Sequence, residues 1–200
     1  MNSRGFTLVE VMVVITISAI LIAMAVPSFR TMIRSNEISS ATNSVVAGLD
    51  VSRSEAIRRN TVVTMCRSID AATPNPACSS AASGNFANND WAVGWIVFAK
   101  APGNLVNTAV EAGDEIILRQ APFQNAAVER LTVESSIGNP QRWTYGPNGL
   151  RQGNALGVTF FVDYRDPQVA VRTNLARCLV ANISGRGRVA RMVNDVCPGA

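Results

Sequence analysis

The stretch Gly5-Phe6-Thr7-Leu8-Val9-Glu10, followed by uncharged residues up to Arg30, decides how this chain is organised. As a helix with a rise of about 1.5 Å per residue, the segment from Phe6 to Pro27 would be about 33 Å long, which is enough to cross a hydrocarbon core of about 30 Å. A carboxylate inside such a helix costs on the order of 2.5 to 3.5 kcal/mol at the bilayer centre. We therefore expect Glu10 to have a positively charged partner.

A short leader that ends in Gly5 and is followed by Phe6, with Glu10 as fifth residue of the mature chain, resembles the class III signal of type IV pilins and type II secretion pseudopilins. The resemblance implies that a prepilin peptidase removes Met1–Gly5 on the cytoplasmic side and that the new amine of Phe6 is methylated. Glu10 would then pair with the N-terminal amine of a neighbouring pilin. The implied location is the inner membrane, crossed once with a cytoplasmic N-terminus, and later the periplasm and the extracellular pilus.

Two ordinary interpretations of the apolar segment stay open. A secretory signal peptide cut after Ala23-Met24-Ala25 fits the small-residue cleavage rule, and a plain membrane anchor with an incidental Glu10 fits the hydropathy. Three observations argue against the signal peptide: Glu10 lies early in the apolar region, Arg4 is the single basic residue of the leader, and the helical pattern continues beyond the proposed cleavage site.

Beyond Pro27 small and apolar side chains recur at spacings of three and four, which is a helical pattern. They are Ile38, Ala41, Val45, Leu49, Ser52 and Ala56. We expect one helix from Phe6 to about Arg58, kinked or loosened near Pro27. The expected segments are a leader (1–5), a transmembrane and filament-core helix (6–28), an amphipathic half of the helix (29–60) and a β-rich globular domain (61–200).

After Asn60 short β-prone runs alternate with Gly, Pro and Asn, which predicts mostly antiparallel sheet. The predicted strands are Thr61–Cys66, Trp91–Ala99, Glu115–Gln120, Ala127–Val133, Gln141–Tyr145, Val158–Val162, Cys178–Ile183 and Arg188–Val193. The segment 69–89, rich in Ala, Ser, Asn and Pro, is interpreted as a surface loop. The predicted fold class is α+β and type IV pilin-like, with a long N-terminal helix packed on a C-terminal antiparallel β-sheet domain.

All four cysteines lie in the part that would be exported, where an oxidising periplasm favours disulfides. Three pairings are possible, and we favour Cys66–Cys78 with Cys178–Cys197 because each closes a local loop. A zinc site made from the four thiols is the alternative, although neither pair has the close spacing typical of zinc ligands.

Three internal stretches narrow the resemblance to the minor pilin and pseudopilin group that contains FimT, FimU and GspH. Residues 91–98 (WAVGWIVF) resemble the group's G-W-x-V-F strand, Tyr145–Gly149 (YGPNG) its F-x-P-x-G turn, and Arg53–Ala56 (RSEA) a stretch near the end of its helix. Each stretch also has a plain structural interpretation, since Trp95 and Phe98 suit a core and Pro147 suits a tight turn.

The composition argues against catalysis. The chain has no histidine, which excludes Ser-His-Asp and Cys-His arrangements and histidine metal sites. Asp163 and Asp166 flank Arg165 in what is expected to be a loop, and no phosphate-binding loop with a lysine occurs, since Lys100 is the only lysine. We therefore expect neither enzymatic activity nor a cofactor or metal.

The remaining chemistry is cationic and is concentrated towards the carboxy terminus. From Arg142 onward eight arginines face three acids (8 − 3 = +5). The arginines are Arg142, Arg151, Arg165, Arg172, Arg177, Arg186, Arg188 and Arg191, and the acids are Asp163, Asp166 and Asp195. Gly185 and Gly187 are expected to form a turn between two strands, with Arg186 and Arg188 on one face and Cys178–Cys197 at the base of the hairpin.

The stretch Gly185-Arg186-Gly187-Arg188 resembles the G-R-x-R motif of the FimT minor pilins, which bind DNA during natural transformation. The resemblance implies that Arg186 and Arg188 contact phosphates of double-stranded DNA without regard to sequence, and Arg191 is added by proximity. Two other interpretations stay open: a structural minor pilin that primes or caps pilus assembly, and a GspH-like pseudopilin of type II secretion. In each case the other partners would be the prepilin peptidase, the inner membrane, and other major and minor pilins.

Overall fold

The computed structural model describes residues 7–84, 86–103, 109–123, 130–136, 141–153, 157–165, 174–193 and 196–198. Gly5 and Phe6, with the rest of the predicted leader, lie outside the described residues, as do Asp166, Arg172 and Asp195. The chain divides into two compact units, residues 1–37 and 38–200.

The first unit is helical. The helix α1 (Leu8–Arg59) begins after Thr7, whose side-chain Oγ1 accepts a hydrogen bond from the Glu10 amide at 3.3 Å. Thr7 and Glu10 have the spacing of a capping box, which explains the start locally. The helix continues through Pro27, where a kink or loosening was the expectation, because a proline removes only one of its backbone hydrogen bonds. By length and composition this helix could cross a membrane.

In the second unit the remaining part of α1 packs on the β-sheets through the predicted stripe of small and apolar residues. All six members of the stripe are buried, and five of them belong to the main core: Ile38, Ala41, Val45, Leu49 and Ala56. The helix ends at Arg59, because Asn60 adopts the left-handed conformation (φ 50°) and the Thr61 amide bonds back to the Ala56 carbonyl.

The sheets are antiparallel and there are two of them in the described residues. The strands are β1 (Val63–Arg67), β2 (Trp95–Ala99), β3 (Glu115–Gln120), β4 (Arg130–Ser135), β5 (Arg142–Tyr145), β6 (Arg151–Gln152), β7 (Val158–Arg165), β8 (Arg177–Ala181) and β9 (Gly187–Arg191). The first sheet has the order β3-β2-β1-β5-β6 and the second the order β4-β7-β8-β9. Inward-facing side chains of both sheets share one core with the helix. The Trp91 and Phe160 rings, 5.3 Å apart, meet edge to face in this core.

Each predicted strand overlaps an observed one, but the boundaries differ. The run 91–99 is a strand only from Trp95 onward, because Trp91–Val93 forms a 3₁₀ turn capped by the Asp90 side chain. The short β6 was not predicted, since two residues give no alternating pattern. Trp95 and Phe98 are fully buried, as their structural interpretation requires.

Both cysteine pairs form disulfides: Cys66–Cys78 anchors the loop that follows β1, and Cys178–Cys197 joins β8 to the end of the chain. The loop after β1 has a second anchor in Arg67, which is fully buried although it is charged. Its guanidinium donates to the carbonyl oxygens of Ser79, Ala81, Ala87 and Asp90 at 2.7–3.1 Å. Burial lowers the pKa of Arg67 from its ordinary value. The loop is therefore built around a side chain that the composition of the segment did not reveal.

Candidate functional site

The predicted arginine turn joins β8 to β9 and has a defined geometry. The Asn182 amide donates to the Arg186 carbonyl at 3.0 Å, and the Gly185 amide donates to the Asn182 carbonyl at 2.9 Å. Gly185 lies in the left-handed region (φ 78°). A type I turn followed by a left-handed glycine is a common three-residue hairpin connection, and it matches the twist of the strands.

Only one of the two glycines predicted in the turn is a turn residue. Gly187 is the first residue of β9 and lies opposite Ala181. The correction has a simple reason, since this type of connection needs a positive φ at a single position, which Gly185 occupies.

The three predicted arginines lie in or directly before β9 of this hairpin. Arg186 is the last residue before β9, Arg188 is in β9 opposite Val180, and Arg191 ends β9 opposite Arg177. All three are exposed. In the described part of the chain, none of the three forms an ion pair with a carboxylate. The exposed fraction of each side chain leaves its guanidinium accessible to solvent.

A second turn with the same hydrogen bonds lies beside the first. It joins β5 to β6, with the Gly146 amide donating to the Leu150 carbonyl and the Gly149 amide to the Gly146 carbonyl, both at 2.9 Å. Gly149 is left-handed too (φ 69°). A Cβ added to Gly185 would come within 2.8 Å of the Gly149 carbonyl oxygen. The two turns are thus packed backbone to backbone.

Arg53 of α1 connects the two turns to the helix. Its Nε donates to the Gly149 carbonyl at 3.1 Å, and its Nη1 lies 3.4 Å from the Gly185 carbonyl, close to the limit of a hydrogen bond. The Tyr145 hydroxyl lies 3.5 Å from the same Gly185 oxygen. Burial raises the pKa of this tyrosine from its ordinary value.

The strand β6 supports the arginine turn from the side. The Arg151 amide donates to the Ile183 carbonyl at 3.2 Å, and the Arg151 guanidinium stacks 4.1 Å from the Trp143 ring centroid. Burial lowers the pKa of Arg151 from its ordinary value. Arg151 is therefore a packing residue of this region, whereas Arg186, Arg188 and Arg191 face outward.

Sequence reasoning found the outward arginines but missed their support. The stretches Arg53–Ala56 and Tyr145–Gly149 were singled out by resemblance only, and the structure brings both to the arginine turn. Lys100 was also missed as a structural residue: its buried ammonium pairs with Asp114 at 2.8 Å and Glu111 at 3.1 Å. Among the residues described, no group of three or more His, Cys, Asp or Glu side chains could hold a metal ion.

A long N-terminal helix packed on antiparallel sheets, with an apolar first half, defines the class of type IV pilin-like subunits. The family model of type II transport protein GspH matches residues 41–185, and the prokaryotic N-terminal methylation motif matches residues 1–26. This chain belongs to the GspH family of pilin-like structural proteins. The GspH match ends one residue before Arg186.

Two solved structures of the type IV minor pilin FimU from Pseudomonas aeruginosa strain PAO1 resemble the chain in fold. One has 19% identity and a TM-score of 0.50, over 82% of this chain and 95% of FimU. The other has 16% identity and a TM-score of 0.47, over 76% of this chain and 91% of FimU. No curated protein matches the chain significantly.

The family match places the chain in the GspH family, and the FimU structure with a TM-score of 0.50 has the same fold. The methylation motif implies processing by a prepilin peptidase and assembly with other pilins. Together with the apolar helix, it fits anchoring in the inner membrane and incorporation into a pilus.

Proposed function

We propose that this chain is a FimT-like minor pilin that binds double-stranded DNA without sequence preference for uptake in natural transformation. Arg186 and Arg188 are the proposed phosphate contacts, and Arg191 adds to them. The observation that carries the proposal is an exposed arginine turn held against the helix by Arg53. A fixed turn loses less conformational entropy on binding than a mobile one, so more of the attraction between its arginines and the phosphates contributes to affinity.

The choice of DNA rests on the chemistry of the side chains. Guanidinium groups are planar and remain charged, and they bind phosphate oxygens in pairs. Contacts to phosphate carry no sequence information, which suits a receptor for arbitrary DNA. A few contacts on one subunit give weak binding, with a Kd of about 10⁻⁴ to 10⁻⁶ M, which several copies in one filament would strengthen.

The test is a binding titration of the full-length protein in detergent against short duplexes of unrelated sequence, at salt from about 50 to about 200 mM. Wild type is expected to bind all duplexes alike. The double variant Arg186→Gln, Arg188→Gln is expected to bind more weakly and to reduce the slope of log K against log salt by about 1.8. The matched control is Arg58→Gln with Arg119→Gln, which removes the same charge from the helix end and from β3.

The control is expected to bind as wild type does. Absence of binding by wild type at the lowest salt would exclude the DNA proposal. Equal weakening by both double variants would show that only the overall charge matters, and would exclude a role for this turn.

A second candidate function is that of a pseudopilin in type II secretion, which the match to GspH favours. Deletion of the gene separates it from the first. A pseudopilin is needed for protein secretion, whereas a DNA-binding minor pilin is needed for transformation and not for secretion. Loss of piliation alone would instead indicate a structural minor pilin that primes or caps the filament.

A further inference from the structure

We infer that the phosphate-binding surface extends from the turn along the free edge of β9 and includes Arg177. This inference rests on the proposed function and adds to it one residue and the direction from which the duplex approaches. It follows from three features of β9: its position in the sheet, its hydrogen-bond register and the arginine opposite its end.

The first feature is position. In the described part of the second sheet, β9 is the last strand and pairs with β8 alone. Four of its five residues are exposed. A strand edge carries backbone amides that need hydrogen-bond acceptors.

The second feature is register. The Asn182 amide bonds to the Arg186 carbonyl and the Met192 amide to the Ala176 carbonyl, which sets the alternation of bonded and non-bonded pairs between β8 and β9. Gly187, Val189 and Arg191 lie in the pairs that are not hydrogen-bonded to β8. Their backbone amides therefore point away from β8. These amides point outward at the edge of β9, where they could donate hydrogen bonds to phosphate oxygens.

The third feature is the pair formed by Arg177 and Arg191, which lie directly opposite each other across β8 and β9. Like charges in this relation destabilise a sheet. In the described residues neither guanidinium forms an ion pair. A phosphate bound between them would replace this repulsion with two attractions.

The arginines occupy both faces of the edge. Arg188 lies on the face of Val180, and Arg191 lies on the opposite face because the two are an odd number of residues apart. A duplex lying on one face of the sheet would contact only the arginines of that face. A duplex lying along the edge of β9 can be contacted by the arginines of both faces. From Arg186 to Arg191 the chain covers about 17 Å, which corresponds to about five base-pair steps along the axis of a duplex.

The surface is inferred to bind DNA and not a further β-strand. Charged side chains along an edge are a common device against strand addition, since an incoming strand would have to desolvate them. The same charges favour a polyanion. Pairing with another protein strand therefore remains an outcome that the test below would reveal.

The test compares single variants Arg177→Gln, Arg177→Lys and Arg119→Gln in the full-length protein, in the same salt titration. Arg177→Gln is expected to lower affinity severalfold at about 100 mM salt and to reduce the salt slope by about 0.9. Arg177→Lys keeps the charge and is expected to keep the slope. Arg119→Gln, an exposed arginine of the other sheet, is expected to behave as wild type.

The outcomes distinguish this inference from the proposed function. Binding by wild type with an unchanged slope for Arg177→Gln would overturn the inference and leave the turn as the DNA site. No binding by wild type would overturn both. A melting temperature of Arg177→Gln well below that of wild type would also overturn it, because it would show that Arg177 serves the fold. Concentration-dependent dimerisation of wild type without DNA that Val189→Pro abolishes would indicate strand pairing at this edge and would overturn the inference.

Discussion

The Nε of Arg53 donates a hydrogen bond to the Gly149 carbonyl at 3.1 Å, and this contact joins the helix to the first of two turns that have the same hydrogen-bond pattern. The second turn, which carries Arg186, lies against Gly149 and within reach of the same guanidinium. The orientation of the proposed DNA-binding arginines thus depends on a helix residue that does not face solvent with them. The predictions below begin with this contact.

Replacing Arg53 by methionine is expected to lower the free energy of unfolding by about 1.5 to 3 kcal/mol, because the Gly149 carbonyl loses a charged donor. Affinity for DNA should fall as well, since the turn is no longer held. The salt slope should stay as in wild type, because Arg53 contacts no phosphate. Urea unfolding and the salt titration measure the two effects, and Arg58→Met is the control. A changed slope would place Arg53 among the phosphate contacts.

Replacing Gly185 by alanine is expected to destabilise the protein by about 2 kcal/mol or more, because a left-handed conformation costs a residue with a Cβ about 1 to 2 kcal/mol and the new methyl would meet the Gly149 oxygen. Gly113 is the matched control. It also has a positive φ (95°), but the nearest atom to its added Cβ is 3.8 Å away. Thermal melting compares the variants. Equal losses would contradict the close packing of the two turns.

Removing the Cys178–Cys197 bond by a double change to serine is expected to cost about 3 kcal/mol in the chain-entropy estimate. The bond links residues 19 positions apart and holds the start of β8 to the chain beyond β9. A double change to alanine checks for effects of the buried serine hydroxyls, since it removes the same bond without adding them. Denaturant titration gives the loss, and a midpoint identical to wild type would contradict the prediction.

Arg67→Lys is expected to destabilise the protein by several kcal/mol, although it keeps the charge. A lysine ammonium cannot reach the four carbonyl oxygens that the buried guanidinium binds, and it is more costly to desolvate. Calorimetry measures the change, with Arg58→Lys as control, an exposed arginine that pairs with Glu55 on the helix. Limited proteolysis should cut the loop after β1 faster in the Arg67 variant than in the control. Similar stability for both variants would contradict an organising role for Arg67.

The stability of the protein is expected to decrease as the pH falls through the acidic range. Hydrogen bonds from Arg58 and Arg59 lower the pKa of Glu55 from its ordinary value of 4.5 to about 2. A lowered pKa in the folded state means that the stabilisation is fully present above pH 4.5 and is lost as the pH falls towards 2. Unfolding measured across this range should therefore depend less on pH in Glu55→Gln. A parallel dependence in both proteins would contradict the prediction.

Features that rest on local sequence could be predicted. The helix, its buried stripe and most strands follow from periodicity, and the disulfides were favoured because each closes a short loop. The exposed arginines followed from a local motif. Three side-chain contacts could not be predicted: those of Arg67 to carbonyls, of Lys100 to its carboxylates and of Arg53 to Gly185. Each joins segments that are separated in the sequence, and no local pattern indicates that they come together in the fold. The helix continues through Pro27, because propensity at one residue is weak against a long helix, and a kink there stays a prediction.

The contact between Arg53 and Gly185 also has a consequence for the order of folding. The two residues are 132 positions apart, so the contact can form only after a long loop has closed. The Gly185 turn also packs against the Gly149 turn, so its final position depends on both contacts. We therefore expect the arginine turn to be fixed among the last steps of folding, so that a chain still incompletely folded after export would carry the arginines but not yet hold them in place.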